Sequence, residues 1–392
     1  MSYRVFEIDP GMKIEESIDP VENTGYLRKF WIEHPQLGRS LIKLEEDTAP
    51  AWSEKVSYEI AKRLKLPAAS YEMGELVGWS NHADNTKVVI SPDFKRADTR
   101  YIQGEELLIF QTNYDDGYSV ASVLSALLQN DVQLPVGYQA PKGISDGADL
   151  FVGYLLLDSL TANNDRHSGN WEIGNNSRGI KTLAPVYDNG ASFATTFGSI
   201  VYGNYTVEQY MNRDLSMFGE FQTETFKQAS EICPEAARVW LSQLAQIQQQ
   251  EFSRILAQIP TERIKPEAKT FAIELLNYNR RQLLSLRAQF NLSSQDLTNL
   301  YQRYAQDSKT QGLAEAKEIS KSALVEGVAP QQVARMLADN NAAYQELTAR
   351  SGTKQAIKLI IQKAQAEITV ERSDRNPPRQ SPPTKKKRSR SR

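Results

Sequence analysis

The chain of 392 residues is long enough for two or three domains, and its hydrophobic share of 40% is that of an ordinary globular protein. A single cysteine, Cys233, excludes an internal disulfide and suits a reducing compartment, while three scattered histidines (His34, His82, His167) argue against a zinc site of the Cys/His type. No apolar run spans a bilayer, residues 1–9 lack a signal-peptide pattern, and no Gly-Lys dipeptide occurs, so a cytoplasmic protein with no membrane partner and no Walker-type phosphate loop is expected.

In chain order, residues 40–44 form a short apolar run around one lysine, Lys43, and read as a strand. Ser53 is placed to cap a helix on which Val56, Ile60, Ala61 and Leu64 share a face, and Pro67 stops it soon after. Glu54 falls in the first turn, where a carboxylate either serves the helix dipole or reaches a cation outside the helix. Residues 88–90 form another strand, leading to Ser91-Pro92-Asp93-Phe94. An apolar run (Phe151, Val152, residues 154–157, Leu160) ends at Thr161-Ala-Asn-Asn-Asp-Arg-His-Ser-Gly-Asn170. Two strand-like stretches follow, 171–174 and 180–183, joined by a turn at Asn175-Asn176-Ser177, and then Tyr187-Asp188-Asn189-Gly190.

Residues 231–290 are helical by period: Trp240, Leu241, Leu244 and Ile247, then Phe271, Leu275 and Tyr278, are core positions. Ser293 or Ser294 caps a further helix with Leu297, Leu300, Tyr301 and Tyr304 on one face. Residues 314–326, a break at Gly327, and residues 330–339 make a helix-turn-helix-like pair, which is a packing appendage or a DNA reader. Its second helix offers Arg335 as its only cation, thin for a groove-binding helix. The tail from residue 371 holds nine Lys/Arg and two acids, +7, against −9 for the preceding part. With four prolines and nothing apolar to bury it is expected to be disordered, and it can bind nucleic acid in a salt-sensitive way, serve as a localisation signal, fold back on the acidic body, or be modified at Ser381, Thr384, Ser389 or Ser391.

The chemistry sits in two of these loops. Phosphoryl transfer needs a carboxylate for the attacking hydroxyl and hard oxygen ligands for magnesium. Asp165 suits the first role; Asn170 and Asp188 suit the second, and the five-residue gap from Asp165 to Asn170 equals that of the protein-kinase catalytic loop. Arg166 and His167 follow the aspartate instead of preceding it. A strand lysine in a cleft is how kinases hold nucleotide phosphates, which makes Lys43 the phosphate-binding lysine and Glu54 its possible partner. The bland alternative is that Asn-Asn-Asp and Ser-Gly-Asn are turn residues. His167 also raises a hydrolase with a serine nucleophile, but Gly190-Ala191-Ser192-Phe193-Ala194 lacks the last glycine of a nucleophile elbow; the other role for His167 is to fix the loop from beneath by a ring hydrogen bond.

Asn163-Asn164-Asp165-Arg166-His167 with Asn170-Trp171, and residues 184–192, resemble the signature of HipA-like serine/threonine protein kinases, the catalytic fold of the toxins in HipA-type toxin–antitoxin pairs. Asn23-Thr24-Gly25, Lys29-Phe30-Trp31, Leu41-Ile42-Lys43 and residues 52–61 extend the likeness to the N-lobe, over roughly the first 290 residues. The resemblance implies an α+β, bilobal fold with a β-rich N-lobe (1–95) and a mainly helical C-lobe (96–290), beyond which lie the helical appendage (291–370) and the basic tail (371–392) read from the residues above. It implies ATP and Mg2+ as cofactors and a protein substrate with a serine or threonine acceptor. It also implies a nucleotide-covering loop at Gly25 with Arg28 and Lys29 as helpers, Thr24 as the nearest hydroxyl for silencing self-phosphorylation, an adenine-contacting crossing at Ser91 and Phe94, His167 beside the catalytic loop, and an antitoxin-like partner. A second function from a different class is a kinase-like regulator in which the tail and appendage bind nucleic acid.

Overall fold

A computed structural model describes residues 2–13, 29–45, 50–79, 85–109, 118–287, 313–325 and 330–340, with isolated positions at 298, 301, 302, 305, 328, 360 and 364. The chain divides into two compact units, residues 1–290 and 291–392.

The first unit opens with a five-stranded sheet: β1 (Val5–Ile8), β2 (Lys29–His34), β3 (Gly38–Leu44), β4 (Glu72–Leu76) and β5 (Thr86–Pro92), in the order β1-β4-β5-β3-β2. β1 runs parallel to β4; the other pairs are antiparallel. Alternation along the strands gives the sheet two apolar faces. Ile42, Val88 and Ile90 with Ile8 and Ile32 form a small core on one side. Met73 and Val89 join the main core on the other, with α1 (Ala51–Arg63). Lys43 lies opposite Val89 in the ladder, so its side chain leaves the sheet on that second face. A lysine there is buried, and a buried ammonium requires counter-charges.

Val56, Ile60, Ala61 and Leu64 are fully buried, as their spacing predicts. Ser53 is not the helix cap. The helix starts at Ala51 after Pro50, whose extended backbone sets the entry, and Ser53 falls inside the first turn. Its buried hydroxyl donates instead to the carbonyls of Gly190 (2.9 Å) and Asn189 (3.3 Å).

β6 (Thr99–Gln103), α2 (Gly104–Ile109), α3 (Val120–Gln129) and α4 (Gly147–Thr161) lead to β7 (Glu172–Asn176) and β8 (Lys181–Leu183), which complete a three-stranded antiparallel sheet with β6. The β7–β8 turn is displaced from 175–177. Asn176 stays in the strand because its Oδ1 accepts the N–H groups of Arg178 (2.9 Å) and Ile180 (3.0 Å), which moves the bend beyond it. Short helices α5 (Gly198–Val201) and α6 (Val207–Met211) precede α7 (Gln222–Ile232), α8 (Pro234–Gln246), α9 (Gln249–Ala257) and α10 (Pro266–Ser285).

α4 is the axis of this part. All fifteen of its residues are buried, as befits a central core helix, and most of them are apolar. Gly153 lets Leu66 and Trp240 close on it: a Cβ there would lie 2.6 Å from each. Asp146 caps its start by accepting the Asp149 N–H, and Ala162, in left-handed conformation (φ 53°), ends it. Two of these buried residues are acids, Asp149 near the start and Asp158 near the end, and a cation pairs with Asp158. The buried guanidinium of Arg166 meets it side-on, Nε to Oδ2 and Nη2 to Oδ1, both at 2.9 Å.

Between α6 and α7 residues 214–222 form a tight hairpin. Leu215 pairs with Phe221, and the Ser216 N–H donates to the Glu220 carbonyl at 2.8 Å. Its base grips the end of α4's loop: Asp214 Oδ1 accepts from Tyr210 Oη (2.9 Å) and Asn164 Nδ2 (3.3 Å), and Gln222 Nε2 donates to the Asn163 carbonyl (3.0 Å). Burial pushes the Asp214 carboxyl up to about 6, against the pull of those hydrogen bonds.

In the second unit the helices Leu313–Val325 and Pro330–Asn340 bury Ala316, Ile319 and Ala323 with Val333, Met336 and Leu337, so the predicted helix pair exists and spends its apolar faces on one small core. The helix expected after Ser293 or Ser294 is represented by isolated positions, and the tail from 371 lies outside the described residues. Among the described residues no helix is long and apolar enough to cross a membrane.

Arg166→Met should lower the unfolding free energy by about 3–5 kcal/mol, because it strands the Asp158 carboxylate in the core; urea denaturation measures the loss, and Asp158→Asn in the same chain should recover part of it. Folded Asp214 holds its proton more tightly than the unfolded chain does, so its contribution to stability is complete below about pH 4 and is lost as pH rises through about 6. Asp214→Asn should flatten that fall between the two values; identical slopes in both proteins would remove Asp214 as the titrating group.

Candidate functional site

The loop after α4 is set by short hydrogen bonds to its own neighbours. Asn163 Nδ2 donates to Asp158 Oδ1 (2.8 Å), and Asn163 Oδ1 accepts the Asp165 N–H (3.3 Å). Asn170 Nδ2 donates to the Asp165 carbonyl (2.6 Å) and to its Oδ2 (3.4 Å), so two of the predicted residues touch directly. His167 makes the expected ring hydrogen bond, its Nδ1 accepting the Gly169 N–H at 3.0 Å. The ring is half-exposed, however, and does not lie beneath the loop, because the loop's interior is already filled by Arg166.

Arg166 reaches past its own loop. Besides Asp158, its Nη1 donates to the carbonyls of Asn170 (2.8 Å) and Tyr187 (2.7 Å), and its Nη2 to Asn189 Oδ1 (2.6 Å). The loop carrying Asp165 and the loop carrying Asp188 are therefore clamped on one guanidinium. Tyr187 Oη adds a bond to the Gly169 carbonyl at 3.1 Å.

Asp188 sits in left-handed backbone (φ 56°), with its N–H donating to Tyr71 Oη at 2.8 Å. Its Oδ1 accepts from Lys43 Nζ at 2.8 Å. The same ammonium lies 3.7 Å from Glu54 Oε1, while Glu54 Oε2 accepts the Asn189 N–H at 2.8 Å. Of the two roles open to Glu54, the reach to a cation is the one observed, alongside its place in the first turn of α1. Burial disfavours the Lys43 charge, but Asp188, Tyr71 and Glu54 outweigh it and hold the ammonium well above the usual lysine range. Burial likewise opposes the Asp188 charge, and Lys43 overcomes it, so that carboxyl lies well below its ordinary value. Glu54 is pushed up to about 7 by burial, with Asp188 adding to the push and Lys43 opposing it. One ammonium facing two carboxylates thus favours the charge on Asp188 over that on Glu54. Asp165 is raised by burial and by the nearby Asp188 charge.

Lys43, Glu54, Asp165, Asn170 and Asp188 therefore form one cluster. Ser91 is buried in β5 opposite Leu41, and Phe94 stacks on Tyr187 with ring centres 5.9 Å apart, next to Asp188 in sequence. Gly25, Arg28 and Thr24 lie outside the described residues. Sequence reasoning missed Asp158 with Arg166, and Tyr71 and Tyr187. The signal for the first was present: an aspartate inside an apolar run demands a cation. A cavity of about 480 Å³ opens elsewhere, lined by Phe94, Tyr101, Val136, Arg178 and Ile180 among others, and none of the cluster lines it. Among the described residues no three His, Cys, Asp or Glu side chains gather as a metal cage; the oxygens that could hold a cation are those of Asp188 and Asn170, with Asp165 beside them.

No family model matches the sequence, and no curated protein matches it significantly. Solved structures do match in shape. The Helicobacter pylori proinflammatory kinase CtkA aligns over 74% of this chain and 100% of its own, with TM-score 0.54 and 17% identity. HipA of Shewanella oneidensis MR-1, solved with HipB and its operator DNA, aligns over 70% of this chain and 67% of its own, with TM-score 0.42 and 16% identity. The chain has an α+β, bilobal fold of the kind seen in the kinase CtkA.

Proposed function

We propose that the chain is an ATP- and magnesium-dependent protein kinase acting on serine or threonine. The observation that carries this is the 2.8 Å contact between Lys43 Nζ, on the sheet, and Asp188 Oδ1, on the loop that Arg166 fastens to Asp165 and Asn170. It supports the reading because Lys43, Asp188 and Asp165, which the proposal casts as phosphate-binding cation, metal-binding acid and catalytic carboxylate, lie in one cluster.

In this proposal Asp165 orients the acceptor hydroxyl and receives its proton, helped by the burial that raises its pKa. The acceptor oxygen bonds to the γ-phosphorus, the bond from phosphorus to the ADP oxygen breaks, and the proton rests on Asp165. Asn170 commits its amide nitrogen to Asp165, which turns its oxygen over to other partners; with the ionised Asp188 it makes the hard-oxygen set that magnesium prefers. Bound magnesium would neutralise charge on the phosphates. Lys43 would hold the α- and β-phosphates while Glu54 keeps it aimed, and the roles that the family resemblance gives Gly25 and Arg28 belong to the same proposal. Ser91 and Phe94 line the adenine side, and His167 steadies the loop through Gly169. An antitoxin-like partner belongs to the same proposal. The +7 tail favours a second activity beside this one, salt-dependent nucleic-acid binding.

Labelled-phosphate transfer from ATP with magnesium tests the mechanism. Asp165→Asn and Asp188→Asn should each lose about 10²-fold or more in rate; equal incorporation by wild type and both variants would end the kinase proposal. Deleting residues 371–392 should abolish a steep salt dependence of nucleic-acid binding, and a full-length chain without such a dependence would remove the second activity.

A further inference from the structure

Half of the large apolar side chains exposed on the described residues lie in one stretch, residues 197–221, and three of them, Leu215, Met217 and Phe221, belong to the hairpin 214–222. They are 49%, 45% and 46% exposed. Their exposure does not come from fraying. Leu215 pairs with Phe221, Ser216 Oγ bonds Thr225 Oγ1 at 2.8 Å, and the Phe218 ring stacks on Tyr118 with centres 4.6 Å apart. A rigid apolar tip costs little conformational entropy when a partner covers it, and a cluster of exposed apolar side chains marks an interaction site.

The base of the same hairpin says what would cover it. Asp214 holds Asn164 and Gln222 holds Asn163, the two residues before Asp165; Tyr118, under Phe218, donates to the carbonyl of Arg166, the residue after it. Asp214 and Gln222 thus hold the loop ahead of Asp165, and Tyr118, stacked on Phe218, holds it behind, while Leu215 and Phe221 are the chain neighbours of the two gripping residues. We infer that this tip docks the acceptor protein and selects a segment with an apolar residue close to the phosphorylated serine or threonine. The inference rests on the kinase function proposed above.

The test uses the full chain, the variant L215S/M217S/F221S, and two fluorescent serine peptides of one sequence, the first with Leu and Phe flanking the serine and the second with both replaced by glycine. Anisotropy reads binding without chemistry; phosphate transfer and peptide-free ATP hydrolysis read the rest. Wild type should bind the apolar peptide about tenfold more tightly than the glycine peptide. The variant, with an unchanged melting temperature, should lose that preference and show a roughly tenfold higher peptide KM with kcat and peptide-free hydrolysis unaltered. Equal binding of both peptides by wild type, or a preference kept by the variant, overturns the inference. So does a wild-type dimer that the variant dissolves while the peptide preference stays, which would make the tip a self-association surface. Transfer without a peptide preference defeats the docking role alone, whereas a preference without any transfer defeats the kinase proposal and keeps the tip as a peptide-docking surface.

Discussion

The site depends on one buried guanidinium. Arg166 uses all five of its N–H donors: two on the Asp158 carboxylate, one each on the carbonyls of Asn170 and Tyr187, and one on Asn189 Oδ1. Those acceptors come from the end of the central helix, from the loop carrying Asp165, and from the loop carrying Asp188. A lysine could not reproduce the fan of bonds, since its point-like ammonium has three donors and no fixed plane. Burying such a pair brings a desolvation cost comparable to its attraction, so its contribution is better sought in geometry than in net stability. Its fan fixes the spacing between two loops that neither could hold alone.

A second constraint acts across the two lobes. Lys43 leaves the sheet on the face shared with Val89 because of strand alternation, and it meets Asp188 and Glu54 there. Three charged groups with one excess negative charge cannot all remain ionised cheaply in a buried place. The balance falls on Glu54, which rises toward neutrality, and leaves Lys43 and Asp188 as the tight ion pair. The sheet is thereby joined electrostatically to the loops below it.

Much of this was legible in the residues, and the limits have physical causes. The apolar run before Asn163 could only be a buried element, and the Asp165–Asn170 spacing is local, so both survive into the structure as α4 and its loop. Lys43 was readable because a lone lysine in an apolar strand is conspicuous. Ser53 does not cap α1 because capping propensity is a local rule, whereas its hydroxyl is recruited by carbonyls 136 and 137 residues away. The β7–β8 turn shifted for the same kind of reason: Asn176 favours a turn in isolation, but as a strand residue it anchors one. Arg166 looked like a deviation from the usual order around the aspartate, and its partner Asp158 was hidden among leucines. The grip of Asp214 and Gln222 on Asn163 and Asn164 spans about fifty residues or more and has no pattern in sequence.

Along the nine residues 214–222, anchoring and outward side chains interleave: Asp214, Ser216 and Gln222 are turned into the body, while Leu215, Met217 and Phe221 are turned out. Divergence can therefore act on the two sets independently. A substitution at an outward position leaves the inward hydrogen bonds, and the Asp165 loop they hold, in place.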